Sequence, residues 1–485
     1  MKRLIVVFFL GVSSGSYAQL ISFLNVYGNS GYDYGRDIKE YLDSGFVVTG
    51  SSSSFGSENA DVFLMKVNKY GDFLWSKNYG GFDSDWGESI IITNDSGLAI
   101  GGYTNSYGSG GFDFYLIRTD DAGTKLWEKT YGGSDWDQAY DLVQTPDSGF
   151  VLVGYTYSFG GNKDAYIVKT NSEGDTIWTK VIGQSGEDFL EAVYLDGDSI
   201  VVCGGSSSYG TGGLDGFICK MDMDGNIGWQ KYIGSIGNDY FTSISHFDDY
   251  YTLGGVRGYN YINTGDDMWF YKLSDDGLTE IVDTTYVNTC VEDDGINDVG
   301  INPANQDIFF AGHTESYGFL MDGMPDMFFG KMTSTSVFVT ASTYGEAGED
   351  KLYALDLCMD EGVVFVGDTK YYSTGGNNIV ILKLTLLWDY PNQFTDLTFN
   401  DITNSIDIAQ TSDNFAIWPN PTYDNIQYSY SSEFDFVEVY SSDGKLLIHS
   451  EDKSGFLSTA DLAKGVYLIS FSFGDEIYTQ RIIKY

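Results

Sequence analysis

Aspartate returns along this chain at a spacing that suggests a metal. Asp33, Asp85, Asp137, Asp188, Asp239 and Asp350 each close a segment that opens Tyr-Gly or Ile-Gly, and Asp293 ends a degenerate copy. A second set, Asp61, Asp113, Asp164, Asp215, Asp267 and Asp326, with Asn378 in the seventh place, sits further along each copy. Carboxylates gathered from several loops are what a hard cation such as Ca²⁺ takes. The first set is therefore the candidate metal site, and Ca²⁺ the one cofactor the sequence suggests. An Asp that opens a strand can equally accept backbone N–H bonds from its own turn. Recurrence in every copy points to that second role, because a binding site needs a few copies and the geometry of a repeat needs all of them.

Other chemistry is thin. There is no Gly-x-Ser-x-Gly elbow and no phosphate loop. His246 and His313 lie in different copies without a second ligand at metal spacing. Asp222-Met-Asp224-Gly-Asn226 begins like a calcium loop, lacks the downstream Glu, and falls where each copy has a Gly turn. The Gly-turn-to-Trp segments resemble sialidase Asp boxes. A sialidase needs an arginine cluster for its substrate carboxylate, and this region offers Arg36, Arg118 and Arg257 in separate copies. No catalytic residue is assigned, and enzyme activity is not expected from motifs.

The elements that must position these groups form a repeat. Copies begin at Tyr27, Tyr79, Tyr131, Ile182, Ile233 and Tyr344, with a degenerate one from Tyr286, a period of about 51 residues. Each carries four strand signals: an alternating strand after the Asp, an apolar strand after an Asp-Ser-Gly turn, a strand opening with the second-set Asp and carrying Lys or Arg, and a strand bearing Trp75, Trp127, Trp178 or Trp229. That order predicts a seven-bladed β-propeller over residues 19–385, all-β, with both Asp sets on one face. Leu20 to Val26 reads as the missing fourth strand of blade seven, closing the ring and leaving no edge exposed. Aromatics recur in the loop between second and third strands (Phe55, Tyr107, Phe159, Tyr209, Tyr317). The same loops lengthen at Tyr259 to Asp267 and Glu315 to Pro325. Departures from symmetry mark a ligand site on a rigid scaffold, so Tyr259, Tyr261, Tyr317 and Met321 are the expected contact surface. Cys203 and Cys219 flank a hairpin symmetrically, which leaves a disulfide and two buried thiols both open.

The two ends carry an address. Lys2 and Arg3, an apolar run from Leu4 to Val12 and Ser16-Tyr17-Ala18 have the order of a signal peptide over residues 1–18, too short to span a membrane. Residues 386–413 lose the period and read as a linker. From 414 to 485 stand Trp418-Pro419-Asn420-Pro421, then Val437 to Lys445 with the Asp443-Gly444-Lys445 turn, then Asp461 to Ile469 with Gly465 and Tyr467, and Gln480 to Lys484. These four ordered motifs resemble the C-terminal sorting domain of type IX secretion in Bacteroidetes. The resemblance implies a small Ig-like β-sandwich recognised by an outer-membrane translocon and cut by a surface sortase. It implies delivery through the periplasm to the medium or the outer surface.

Composition bounds the partners. With 69 Asp and Glu against 26 Lys and Arg, the net charge is −43, which excludes tight nucleic-acid binding and disfavours an anionic membrane surface. No stretch beyond the leader is long and apolar enough for a transmembrane helix. The function expected is a binding or adhesion module for a glycan or a surface protein. The alternative is a glycoside hydrolase-like enzyme using carboxylates on the channel face.

Overall fold

A computed structural model describes residues 22–54, 59–258, 265–286, 293–316, 324–334, 338–345, 348–370, 376–385, 398–401, 415–418, 425–430, 436–441, 445–450, 456–460, 462–463, 465–473 and 476–484. The chain divides into two compact units, Met1–Thr403 and Asn404–Tyr485.

Among the described residues the first unit is seven antiparallel sheets in series, each running from an innermost to an outermost strand. Blade one consists of Asp33–Glu40, Phe46–Ser52, Asp61–Val67 and Phe73–Tyr79, and blades two to six repeat this order. Each innermost strand touches those of the blades on either side, and Asp350–Leu357 of blade seven touches Asp33–Glu40, so the ring closes. The last blade takes its outer strand from the start of the chain: Phe23–Gly28 pairs antiparallel with Asn378–Leu384, Val26 opposite Val380. The closing strand thus lies slightly later than the sequence placed it. Thr398–Asp401 then adds a parallel fifth strand beside Phe23–Gly28, so a part of the stretch read as linker belongs to the ring.

Burial follows from this stacking. The second and third strands are buried along most or all of their length, as in Phe46–Ser52 and Asp61–Val67, because each lies between the faces of two neighbouring blades. Their middles are runs rich in Val, Ile, Leu and Phe, as in Val62 to Met65, the pattern of a strand covered on both sides. Outermost strands such as Phe73–Tyr79 alternate between covered and exposed residues. One latch explains much of the repeat. The Tyr79 hydroxyl donates to the Gly123 carbonyl of the next blade at 2.6 Å, as Tyr131 does to Gly174 at 2.6 Å and Tyr27 to Gly71 at 2.5 Å. Gly123 sits at φ 73°, in the left-handed region that favours glycine. A Cβ there would come within 2.9 Å of the Trp75 ring.

The second unit has a three-stranded and a four-stranded sheet. Val437, Val439, Ile469 and Phe471 of one share a core with Leu457 of the other, the arrangement of a small sandwich.

Cys203 and Cys219 do not face each other. Cys203 lies opposite Ile218 and Cys219 opposite Val202, so the two thiols leave opposite faces of the sheet and enter separate cores. Both are free and buried.

Candidate functional site

The first Asp set opens the innermost strands. Each carboxylate serves its own loop wherever its bonds are described. Asp85 accepts from the hydroxyls of Thr104 and Ser106 and, at 2.9 Å, from the Gly81 amide. Asp33 is held by Ser52 and Ser54 at 2.5 and 2.6 Å, Asp137 by Ser158 at 2.8 Å, and Asp188 by Ser206 and Ser208. Asp239 accepts the Gly258 amide at 3.0 Å, and Asp350 is buried at the same position. In blade six the place belongs to Asp294, which takes the Thr314 hydroxyl at 2.6 Å; Asp293 stands one residue outside the strand.

Among the described residues, second-set carboxylates approach the first set across five blade junctions. At Gly132 a Cβ would lie 2.1 Å from Asp113 Oδ1 and 2.5 Å from Asp137 Oδ2, so only glycine fits between the two. Burial, with the charge of Asp137 adding, pushes Asp113 up to about 6.

At the opposite ends of these strands, among the described residues, an ion pair locks six of the seven blades. Lys66 meets Asp43 at 2.7 Å, Lys169 meets Asp147 at 2.9 Å, Lys220 meets Asp196 at 2.6 Å and Lys383 meets Asp360 at 2.7 Å; Arg118 pairs with Asp95 in the same way. Asp196, His246 and Asp275 converge closely enough to hold an ion, with His246 Nε2 2.9 Å from Asp275 Oδ1. The Lys220 ammonium already occupies Asp196, however, so the positive charge a metal would bring is in place. Asp222 accepts the amides of Asp224 and Asn226 at 3.0 and 2.8 Å, a turn and not a calcium loop.

Tyr259, Tyr261, Tyr317 and Met321 lie outside the described residues. Of the loop aromatics that are described, Tyr107 is half-exposed with its hydroxyl on the Gly80 carbonyl, and Tyr209 packs 4.9 Å from the Tyr232 ring.

The feature that the alternation of residues did not reveal is a bulge at one place in all seven innermost strands. The register slips between Gly35 and Asp37, Gly87 and Ser89, Ala139 and Asp141, Leu190 and Ala192, Phe241 and Ser243, Ile296 and Asp298, and Leu352 and Ala354. A bulge re-aims one side chain. The extra residues are Arg36, Glu88, Tyr140, Glu191, Thr242, Asn297 and Tyr353, each partly open to water. Since the innermost strands encircle the axis, a side chain that the bulge re-aims faces the axial channel of the ring. The place of the bulge repeats; the residue on it never settles on one type.

Arg36 ties three blades together. Its guanidinium lies 3.6 Å from the Glu88 carboxylate of blade two, and 4.1 Å over the Tyr353 ring of blade seven. Glu88 also accepts a bond from Tyr103; burial raises its carboxyl, while Arg36 and Tyr103 pull it back. Asp368, held by Asn377, completes this side.

Glu191 stands differently. Among the described residues no cation lies within ion-pair distance of it, and burial pushes its carboxyl up to about 8, with Lys163 opposing and Glu88 adding. Lys163 instead places its ammonium 4.3 Å over Tyr155 and 4.4 Å over Phe189. His313 is kept neutral: burial, with Lys351 adding, lowers it to about 3.

Aromatic rings lead from the rim to this channel. Exposed Tyr32 stacks 6.4 Å from Tyr34, which meets Trp86 at 5.4 Å; Trp86 stacks on Tyr103 at 6.1 Å; Phe112 joins Tyr103 at 5.2 Å to half-exposed Trp136 at 5.5 Å. Tyr140, Tyr155 and Tyr157 form a second arm at 5.8 and 5.6 Å.

In the second unit Tyr467 is buried and donates to the Ala463 carbonyl at 2.8 Å, and Gly465 lies opposite Lys484. Lys445 is exposed, and Trp418 ends the strand Phe415–Trp418. Pro419, Asn420, Pro421, Asp443 and Gly444 lie outside the described residues.

Comparison with known proteins gives the tail an address. Residues 416–485 match the family described as Secretion system C-terminal sorting domain. The tail is thus a type IX sorting domain, and it directs export to the cell surface or the extracellular space. Among the described residues no helix is long and apolar enough to cross a membrane. Regulatory protein FlaEY of Caulobacter vibrioides is similar at 23% identity over 184 residues, 33% of this chain; the match spans 19% of that protein's length. Two similar solved structures are PorZ, a bacterial surface component of the type IX secretion system of Porphyromonas gingivalis, and an acylaminoacyl peptidase of Pyrococcus horikoshii. PorZ is 11% identical, covering 90% of this chain and 58% of its own, with a TM-score of 0.39. The peptidase is 13% identical, covering 72% of this chain and 50% of its own, with a TM-score of 0.41.

Proposed function

We propose that this exported propeller is a carbohydrate-binding module whose ligand enters the axial channel. The observation that supports this reading is the pairing of aromatic faces with side chains that are neutral or already paired. Arg36 is offset by Glu88, Glu191 stays protonated at neutral pH, and Tyr140, Thr242 and Asn297 supply uncharged donors and acceptors. A neutral sugar ring offers hydroxyls to such groups and C–H faces to the rings of Trp86 and Trp136. A strongly charged ligand would meet no matching net charge in that ring. Adhesion to a glycan-coated surface is the role this suits, with the sorting domain presenting the propeller outside the cell. In the same reading the tail meets the translocon and is then removed by a surface sortase.

Titration calorimetry of the full chain against β-glucan, xylan, mannan, pectin and chitin fragments tests it. Binding to at least one is expected, with Trp86→Ala and Tyr140→Ala each weakening it at least tenfold, about 1.4 kcal/mol or more. Unchanged affinity in both variants, with the fold intact by circular dichroism, sinks the reading.

A further inference from the structure

Tyr32 and Trp136 hold the same place in blades one and three, one residue before the first-set Asp. Blades two, four and five carry Ser84, Glu187 and Asn238 there, so the geometry of the repeat does not call for an aromatic. Both rings lie against a glycine that has no room for a side chain. A Cβ on Gly376 would come 2.7 Å from the Tyr32 ring, and one on Gly111 would overlap the Trp136 indole. Yet 54% of Tyr32 and 50% of Trp136 stay open to water. Backbone bonds fix each of them: the Tyr32 carbonyl accepts the Ser53 amide at 2.9 Å, and the Trp136 carbonyl accepts the Tyr157 amide at 2.8 Å. A rigid ring backed by main chain and half in water is a platform, not core.

Between these two ends Tyr34, Trp86, Tyr103 and Phe112 follow in single file, each partly open to water, with successive centroids 5.2 to 6.4 Å apart. That step is about the length of one pyranose unit. Tyr32 and Tyr34 are 10° from parallel at 6.4 Å, and Trp86 and Tyr103 are 18° from parallel at 6.1 Å, offset pairs that leave part of each face free. Phe112 stands edge-on to Tyr103 and Trp136, at 86° and 85°. Carboxylates flank the file: Asp83 and Asp135 are exposed, and Asp135 accepts the Trp136 amide at 3.0 Å.

We propose that this file is a multi-unit subsite for an unbranched, uncharged polysaccharide, running from Tyr32 over blades one and two to Trp136 at the entry of blade three. The inference rests on the carbohydrate reading above and names the class of chain that reading leaves open. One ring following the next suits a strand one sugar wide, whereas a protein partner needs a broad apolar face. Acidic glycans are turned away by Asp83 and Asp135 and by the surplus of 43 negative charges. Each sugar that meets a ring adds a modest increment, and the increments combine along a chain whose units are already tethered to one another.

Titration calorimetry of the full chain against mono- to hexasaccharides of β-1,4-linked glucose, xylose, mannose and N-acetylglucosamine, with oligogalacturonate as the acidic counterpart, tests the inference. In at least one neutral series affinity should climb with every unit beyond the disaccharide, about a hundredfold by the hexasaccharide, while oligogalacturonate does not bind. Tyr32→Ala and Trp136→Ala should each weaken the hexasaccharide about three- to tenfold, with the melting temperature unchanged because both side chains are half in water. Affinity that levels off at the disaccharide overturns the subsite and leaves the carbohydrate reading standing. So does a hexasaccharide that binds both variants as tightly as wild type, or oligogalacturonate that binds as tightly as the neutral chains. Absence of binding to every oligosaccharide overturns both.

Discussion

Asp85 illustrates what the repeated carboxylates do: its two oxygens take two hydroxyls and an amide from the adjoining loop, which leaves little for an ion. Replacing it with Ala orphans those donors in a buried junction and should cost about 2–4 kcal/mol. Thermal melts with EDTA and with millimolar Ca²⁺ should coincide; a rise of more than about 3 °C on adding Ca²⁺ would show that the ring does bind the ion. The lysine ring gives a sharper contrast. Lys169 is buried and paired with Asp147, so Lys169→Met should destabilise by about 1–2 kcal/mol, because the carboxylate left behind is largely exposed and can be rehydrated. Lys272 occupies the same place in blade five and donates to the Ser334 carbonyl; burial brings its ammonium down to about 8. Lys272→Met should therefore melt at or above the wild-type temperature. Equal losses in both variants, measured by calorimetry, would contradict this account.

At the scale of strands and blades, stability lies in how neighbours interlock. Tyr79→Phe removes one latch to Gly123 and should cost about 1 kcal/mol. Deleting the chain through Gly28 does more, because it strips the outer strand from blade seven and bares the edge of Asn378–Leu384. Such an edge pairs with whatever strand it meets, so the truncated protein should self-associate on size-exclusion chromatography; a monomer of unchanged stability would show that closure is dispensable. This level of structure was the most legible in the sequence. Stacking seven alike blades calls for the same Gly turns and Asp in nearly every one, and for the Tyr and Trp in several, so packing writes itself as a period. The channel was not legible for the converse reason. Its residues sit on bulges, which alternation cannot reveal, and they differ from blade to blade, so Arg36 and Glu191 look like ordinary surface charges in a line of text. Cys203 and Cys219 show how little separates a correct face from a wrong one. Symmetry about the turn was right to within one residue, and one residue of register turns a side chain to the opposite face.

For the whole molecule the excess of acid is the dominant fact, and its consequence is a stability that falls toward alkaline pH. Burial raises Glu191 to about 8, Asp141 to about 7, and Asp298 and Asp113 to about 6, all above the ordinary carboxylate range. In the native state these groups hold protons that the unfolded chain releases near pH 4. Between about pH 4 and 8 the folded protein thus binds more protons than the unfolded one, and stability declines as pH rises through that window. Carboxylates with lowered values act the other way. Asp147, brought down to about 2 by its bonds to Thr145 and Lys169, and Asp95, lowered by Thr93 and Arg118, contribute stability above pH 4 and lose it below. His313, depressed to about 3 by burial, also penalises acid, since the unfolded chain takes up its proton near pH 6.5. Several raised carboxyls outweigh one histidine between pH 5 and 8, and below pH 4 the balance reverses. Self-repulsion of the surplus of 43 negative charges pushes in the same direction as the buried acids. The melting temperature should therefore be highest near pH 5 and fall by several degrees at pH 8, by roughly 2–4 °C per kcal/mol for a unit of this size. Glu191→Gln should flatten the alkaline part of that curve, because the amide stays neutral where the carboxyl must ionise. A melting temperature that climbs from pH 5 to 8, or an E191Q curve parallel to wild type, would mean that the axial acids titrate as solvated groups and that the channel is wider and wetter than its burial implies.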